Sequence, residues 1–362
     1  MKKIIFIHLL NDFSGSPKVL SHVIKVAKDK GINVELFTGN KTNGFLSNLA
    51  DRHAYYLYRR FKNRYLTLFS FLFSQFLLFF KLLRFWRKDV TIYVNTMLPF
   101  GAGLAGWLMK KPVIYHIHET CITPPKLKTF LRKIIELSAN KVIYVSNSVK
   151  LLESFNNKTE ITIYNCLKID FQTLGFSNIY SNKYDGVFNV LMISSMKGYK
   201  GVFEFLKIAD QLHSKSEIKL SLVLNASNDE ISEFFKNLAI PSNVSIHSQT
   251  SNIIPFYKSA NLVLNLSRPD QWIETFGLTV IEALAFGIPV IVPPVGGPAE
   301  IISDGKEGYL ISSYNTEQIA QQILELSDAP EKCYELSSNA KLRASDFNEE
   351  KFNQAILDEF IA

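Results

Sequence analysis

Short apolar runs recur along this chain, each closed by turn residues and followed by a helical pattern. That alternation restricts the fold more than any other feature. Ile4–Leu9 leads into a Ser14-Gly15-Ser16-Pro17 turn and a helix over Lys18–Lys30 that Gly31 ends; Asn33–Thr38, Thr91–Asn95, Val113–His118, Lys141–Ser146 and Ile161–Tyr164 repeat the strand signal. Strands that are apolar throughout and separated by helices predict a doubly wound parallel sheet. The pattern restarts at Phe188–Ile193, with a helix over Val202–Leu212, and continues through Lys219–Asn225, Val244–His247, Leu262–Asn265, Pro289–Val292 and Gly308–Ile311. At 362 residues the chain suits two domains. Phe171–Asp185, rich in Ser, Asn and Gly, reads as the linker, and Phe347–Ile361 as a final amphipathic helix.

Composition narrows the partners. A hydrophobic fraction of 47% permits sizeable cores, and 40 basic against 33 acidic residues leave a net charge of +7. That balance favours nucleotide phosphates, anionic lipid or nucleic acid. Zinc-finger spacing and RNA-recognition signatures are missing from the sequence, which sets nucleic acid aside. Cys121, Cys166 and Cys333 are scattered and form no CxxC, as expected of a reducing cytoplasm. The start, Met1-Lys-Lys-Ile-Ile-Phe-Ile-His8, has too short an apolar run for a secretory signal and reads as a first buried strand.

Tyr65–Phe80 carries no charge, while Arg59, Arg60, Lys62 and Arg64 precede it and Lys81, Arg84, Arg87 and Lys88 follow. It is slightly short of the roughly 20 apolar residues of a membrane span. Two readings stand: a helix packed on the first sheet, or a helix lying on an anionic membrane face with Phe and Leu inserted and Lys/Arg at the headgroups. The second is favoured, because several apolar faces cannot all pack on one sheet.

The chemistry concentrates in Glu274-Thr-Phe-Gly-Leu-Thr-Val-Ile-Glu282. Glu274 lies in a loop feeding a helix that runs to Gly287. The backbone N–H groups around Phe276, Gly277 and Leu278 then face a ligand at the helix N-terminus, which favours phosphate. Glu282, about two turns along, can accept hydrogen bonds from hydroxyls. Phosphate donors flanked by two hydroxyl-accepting carboxylates suit a nucleotide sugar; two solvated glutamates on an amphipathic helix are the plain alternative. Downstream stand Pro293-Pro-Val-Gly296-Gly297-Pro298-Ala-Glu300 and Asp304-Gly305-Lys-Glu-Gly308-Tyr-Leu. Together these stretches resemble the GT-B glycosyltransferases of family 4, the retaining group labelled glycosyl transferases group 1.

The resemblance implies an α/β GT-B fold: two Rossmann-like, doubly wound parallel-sheet domains facing a central cleft. Residues 1–180 would form the acceptor-binding domain, 181–345 the nucleotide-sugar-binding domain, and 346–362 a helix crossing back to the first. It assigns Lys200, in Lys200-Gly201, to the donor diphosphate, Glu282 to the donor ribose and Glu274 to the transferred sugar. An arginine commonly stands where this chain has Ser195, and Lys197 is the candidate substitute, without the arginine fork. Cys166 replaces the glycine of the family's Asn-Gly-x-Asp turn. His118 ends an apolar strand, where open parallel sheets place ligands; family members often carry a histidine there, near the transferred sugar. His116 reads equally as a core histidine. Glu119 is a candidate donor or acceptor contact, Gly15 a point of close backbone approach to the donor phosphates or the acceptor, and Trp272 either lines the sugar pocket or simply packs.

The implied function is a retaining, metal-independent glycosyltransferase using a UDP- or GDP-sugar. Its acceptor would be a lipid-linked glycan, in bacterial surface polysaccharide or lipopolysaccharide synthesis. No cofactor is expected: neither a D-x-D motif nor a third ligand for a His116/His118 zinc site is present in the sequence. The expected place is the cytoplasm, peripheral on the inner membrane face through Arg59–Lys88. The rivals are a sugar-nucleotide epimerase on the same fold and a non-catalytic GT-B partner protein.

Overall fold

The computed structural model describes residues 3–250 and 252–361, so Met1, Lys2 and Ala362 of the assignments above lie outside the described residues. The chain divides into two compact units, Met1–Asn165 with Glu350–Ala362, and Cys166–Glu349.

In the first unit the strands are β1 (Lys3–His8), β2 (Asn33–Gly39), β3 (Arg52–Tyr56), β4 (Val90–Asn95), β5 (Val113–Ile117), β6 (Lys141–Tyr144) and β7 (Thr159–Thr162). They form one sheet in the order β3-β2-β1-β4-β5-β6-β7, with every neighbouring pair parallel. Ile4, Ile5, Phe6 and Ile7 have no exposed surface, so β1 is covered on both faces, as its unbroken apolar run requires. The second unit contains β8 (Phe188–Ser194), β9 (Ile218–Leu224), β10 (Val244–His247), β11 (Leu262–Leu264), β12 (Val290–Val292) and β13 (Gly308–Leu310), in the order β10-β9-β8-β11-β12-β13, again all parallel. Its core joins Val190, Met192, Leu220, Leu222 and Leu264 to Phe205, Ile208 and Ile323 of the covering helices.

Several boundaries differ from expectation. The first helix spans Gly15–Asp29 and takes in most of the predicted turn. Ser146 lies beyond β6 and caps the helix Asn147–Glu153 by accepting the Val149 N–H at 3.2 Å. β3, a half-exposed edge strand, was not expected. The division between units falls after Asn165, ahead of the predicted linker. Ile169–Phe176 is a helix of the second unit, where Gly175 meets the backbone of Ala285 too closely for a side chain. The last helix, Glu349–Ile361, packs in the first unit: Phe352, Ile356, Leu357 and Phe360 are buried, and Phe360 meets Phe6 and Tyr93 with ring centroids 6.1 and 5.9 Å apart.

The charge-free segment lies in the helix Arg64–Leu82, started by Asn63, whose side chain accepts the N–H groups of Tyr65 and Leu66. Its polarity is inverted. Ser74 and Gln75 are buried with Phe71, Leu78 and Leu82, while Thr67 and Ser70 hydrogen-bond the backbone of Phe61 and Arg59. Tyr65, Leu66, Phe69, Leu72, Phe73, Phe76 and Phe80 are exposed. The stretch Arg64–Phe85 is, at 22 residues, long and apolar enough to cross a membrane, yet its helix connects β3 to β4 of the sheet.

Candidate active site

In the second unit three loops at the carboxyl ends of the strands converge. After β8 a turn, Gly198–Lys200, presents Lys200. After β11 the loop carries Ser267, Trp272 and Glu274. Lys200 Nζ pairs directly with Glu274 Oε2, and the Ser267 hydroxyl is 3.5 Å from the same oxygen. Both charged side chains are mostly covered, at 18% and 23% exposure, so each depends on the other to offset lost hydration. Trp272 stacks on Tyr199 at 5.1 Å, and Lys200 Nζ is 5.4 Å from the Trp272 ring, a cation–π distance. Trp272 therefore walls the lysine.

Past Glu274 the chain turns through Gly277, whose φ of 98° favours glycine, into the helix Leu278–Ala285. The first N–H groups of a helix have no partner within it; here they follow Phe276 and Gly277. The third loop explains the Gly296-Gly297 signal. Gly297 N donates to Glu274 O at 2.8 Å, and a Cβ on Gly297 would come within 2.3 Å of Phe276 Cα. Glu282 is buried and accepts a 2.8 Å hydrogen bond from the Tyr257 hydroxyl. Burial first, then the Glu282 charge, holds the Tyr257 phenol well above its ordinary range, so it stays a donor.

Lys197 does not join this group. It is exposed, and the carboxylate it influences is Glu230, held below the ordinary range by Ser227 first and Lys197 last. Nor does Arg268 supply the charge missing at Ser195: its guanidinium is bound to Glu204 at 2.8 and 2.7 Å.

In the first unit His118 follows β5, partly buried, with Nε2 2.8 Å from Asn95 Oδ1 at the end of β4. His116 is fully buried, its Nδ1 2.8 Å from the Tyr93 hydroxyl and its ring 4.3 Å from that of His118. It is the core histidine of the two readings. Burial pushes His116 down to about 3 and His8 to about 4, and with their help holds His118 well below its ordinary value. Glu119 is turned inward: Oε1 accepts the Met97 N–H at 2.7 Å and Oε2 the His118 N–H at 3.2 Å. Burial nevertheless raises its carboxyl to about 7, against those hydrogen bonds. Gly15 is exposed at the start of its helix. Among the described residues no cluster of three or more His, Cys, Asp or Glu could hold a metal ion.

Sequence reasoning missed Asn95, Ser267 and Tyr257. Asn95 carried a usable signal, a polar residue closing an apolar strand, the same rule that selected His118.

Residues 180–343 match the family described as Glycosyl transferases group 1. An uncharacterized 41.2 kDa protein in the cps region of Klebsiella pneumoniae is 30% identical over 58% of this chain and 53% of its own length. The N-acetyl-alpha-D-glucosaminyl L-malate synthase of Bacillus anthracis is 30% identical over 45% and 41%. The chain thus spans about half the length of the curated relatives it matches. Two solved structures share the fold across 99% of this chain: Anabaena HepE in complex with UDP and glucose (TM-score 0.79, 20% identity, 99% of that chain) and the lipopolysaccharide outer core galactosyltransferase WaaB (0.69, 17%, 100%). Residues 180–343, within the second unit, thus form a domain of the Glycosyl transferases group 1 family, and the chain, with a parallel α/β sheet in each unit, has a GT-B fold.

Proposed function

We propose that the second unit binds a nucleotide-sugar donor, UDP- or GDP-linked, and that the enzyme transfers the sugar with retention to a lipid-linked glycan of a bacterial surface polysaccharide or lipopolysaccharide. The observation that carries this is the Lys200–Glu274 pair beside the helix start at Gly277. Lys200 and the helix-end N–H groups offer positive charge to the departing diphosphate; Glu274 offers hydroxyl-accepting oxygens and negative charge toward the anomeric carbon. Glu282, oriented by Tyr257, serves the ribose. On this reading the leaving phosphate takes the acceptor's proton, and Lys200 with the helix dipole replaces a metal ion. In the first unit His118, with Glu119 beside it, is the candidate contact for the transferred sugar.

The inverted helix supports the lipid-linked acceptor. Ser74 and Gln75 face the protein beside Phe71, most of the other aromatic rings of Arg64–Leu82 face out, and no acidic residue occurs between Arg52 and Lys88. Such a face suits peripheral contact with anionic headgroups on the cytoplasmic leaflet.

The test is release of free nucleotide from UDP-, GDP-, ADP- and TDP-sugars in EDTA, with and without a bacterial membrane extract. Release from one donor, stimulated by extract, is expected. A need for added divalent metal would reject the metal-free part, and stimulation by soluble glycans alone would reject the lipid-linked acceptor.

A further inference from the structure

We propose that Asn95 is a positioning residue: it fixes the proton of His118 on Nε2 and so leaves Nδ1 as the acceptor that His118 offers. A neutral imidazole donates from one nitrogen and accepts at the other, and which is which follows from its fixed neighbours. Here the neighbours decide. Asn95 is fully buried, and its Nδ2 lies 3.3 Å from the main-chain oxygen of Ser16. A carbonyl oxygen only accepts, so the NH₂ end of the amide must face Ser16. Oδ1 then faces His118 Nε2 at 2.8 Å. An amide oxygen carries no hydrogen, and a bond forms only if Nε2 does. Reversing the amide would set its oxygen against the Ser16 carbonyl in a buried place, with no donor between them.

His8 agrees with this orientation. Its Nδ1 is 3.1 Å from Asn95 Nδ2 and 3.3 Å from the main-chain oxygen of Asn95. Bare, it accepts from the amide, whereas a hydrogen on it would meet the amide's own N–H groups. Oδ1 is left to His118. Burial, with His116 and His8 nearby, keeps His118 neutral, which leaves one tautomer rather than an imidazolium. The same amide ties His118 to the first turn of the helix Gly15–Asp29. Asn95 touches no reacting atom on this account; it acts through His118.

The consequence for turnover rests on the proposed role of His118, but the tautomer does not. The experiment uses the full chain labelled with ¹⁵N-histidine and long-range ¹H–¹⁵N correlation, with the His118 signals assigned by their loss in His118→Gln. The Nε2–H pattern is expected for His118 in the unmodified protein; an Nδ1–H or averaged pattern would overturn the proposal without any variant at Asn95. Asn95→Ala should give mixed tautomers and about tenfold lower kcat with donor KM within about twofold. Unchanged kcat in an Asn95→Ala protein shown to have mixed tautomers would remove the positioning role. The expected spectrum in a protein that transfers no sugar would leave the lock standing and sink the functional reading instead.

Discussion

Lys200 and Glu274 neutralise each other in a mostly covered place, so neither can be removed without stranding its partner. Lys200→Ala should lower kcat by about 10²–10³, the cost of losing one preorganised charge at a developing anion. Adding Glu274→Ala should cost far less than a second factor of that size, because residues acting as a unit are not additive. Nucleotide release from the single and double variants measures this, and multiplicative losses would show that the pair does not act as one. Tyr257→Phe removes one hydrogen bond from buried Glu282; donor KM should rise about three- to tenfold with kcat nearly unchanged.

Three buried groups near His118 give a pH signature with opposing signs. Glu119 binds its proton more tightly when folded, from 4.5 up to about 7, so its stabilisation is present at low pH and is lost as pH rises through that window. His8 and His116, lowered from 6.5 to about 4 and about 3, stabilise the fold at neutral pH and lose that as pH falls. Glu119→Gln deletes the first effect; it also trades one of two accepting oxygens for a donor, a cost that does not vary with pH. Relative to the unmodified protein it should gain up to about 3 kcal/mol between pH 5 and pH 8, read from unfolding midpoints. No such difference would mean that Glu119 ionises freely when folded. Lys200, Glu274 and Glu282 could be picked out because they stand in recognisable linear motifs, Lys200-Gly201 and Glu274–Glu282. Tyr257 was not: its helix, Ile254–Ser259, looks like any amphipathic turn, and its role exists only through a contact 25 positions away.

Elements were readable where burial made their pattern unambiguous. Every strand of the second sheet lies where the sequence pattern puts it, most plainly β11 and β12, whose residues are all buried. β3 was not read, because Arg52-His-Ala-Tyr-Tyr is a half-exposed edge strand whose stability comes from pairing with β2 rather than from its own pattern. The charge-free helix shows the opposite limit: sequence located it but could not tell which side was covered. Its exposed rings permit a test that spares the fold. Phe69→Glu with Phe76→Glu alters residues that are 70% and 58% exposed, so the unfolding midpoint should hold. Flotation with anionic vesicles should drop at least tenfold, since each buried aromatic contributes about 1.5–3 kcal/mol. Equal flotation of the double variant would remove this face from any membrane contact.

The molecule's two units are not two consecutive stretches of chain. The first is completed by Glu350–Ala362, after the whole second unit has been made. Within the first unit, Phe352, Ile356, Leu357 and Phe360 bury their side chains, Phe360 against β1 and β4, and Lys141 pairs with Glu359. Four such side chains at about 1.5–3 kcal/mol each amount to about 6–12 kcal/mol, comparable with the entire stability of an ordinary domain. A chain ending at Asn348 should therefore lose the first unit's cooperative unfolding, while Phe360→Ala should keep it at a cost of about 3–5 kcal/mol. Tryptophan fluorescence can isolate this, because Trp86 and Trp107 lie in the first unit and Trp272 in the second. In a Trp272→Phe background, urea unfolding reports the first unit alone. A normal transition in the truncated chain would mean that β1 to β7 and their helices suffice, and that the returning helix serves the first unit in some way other than stability.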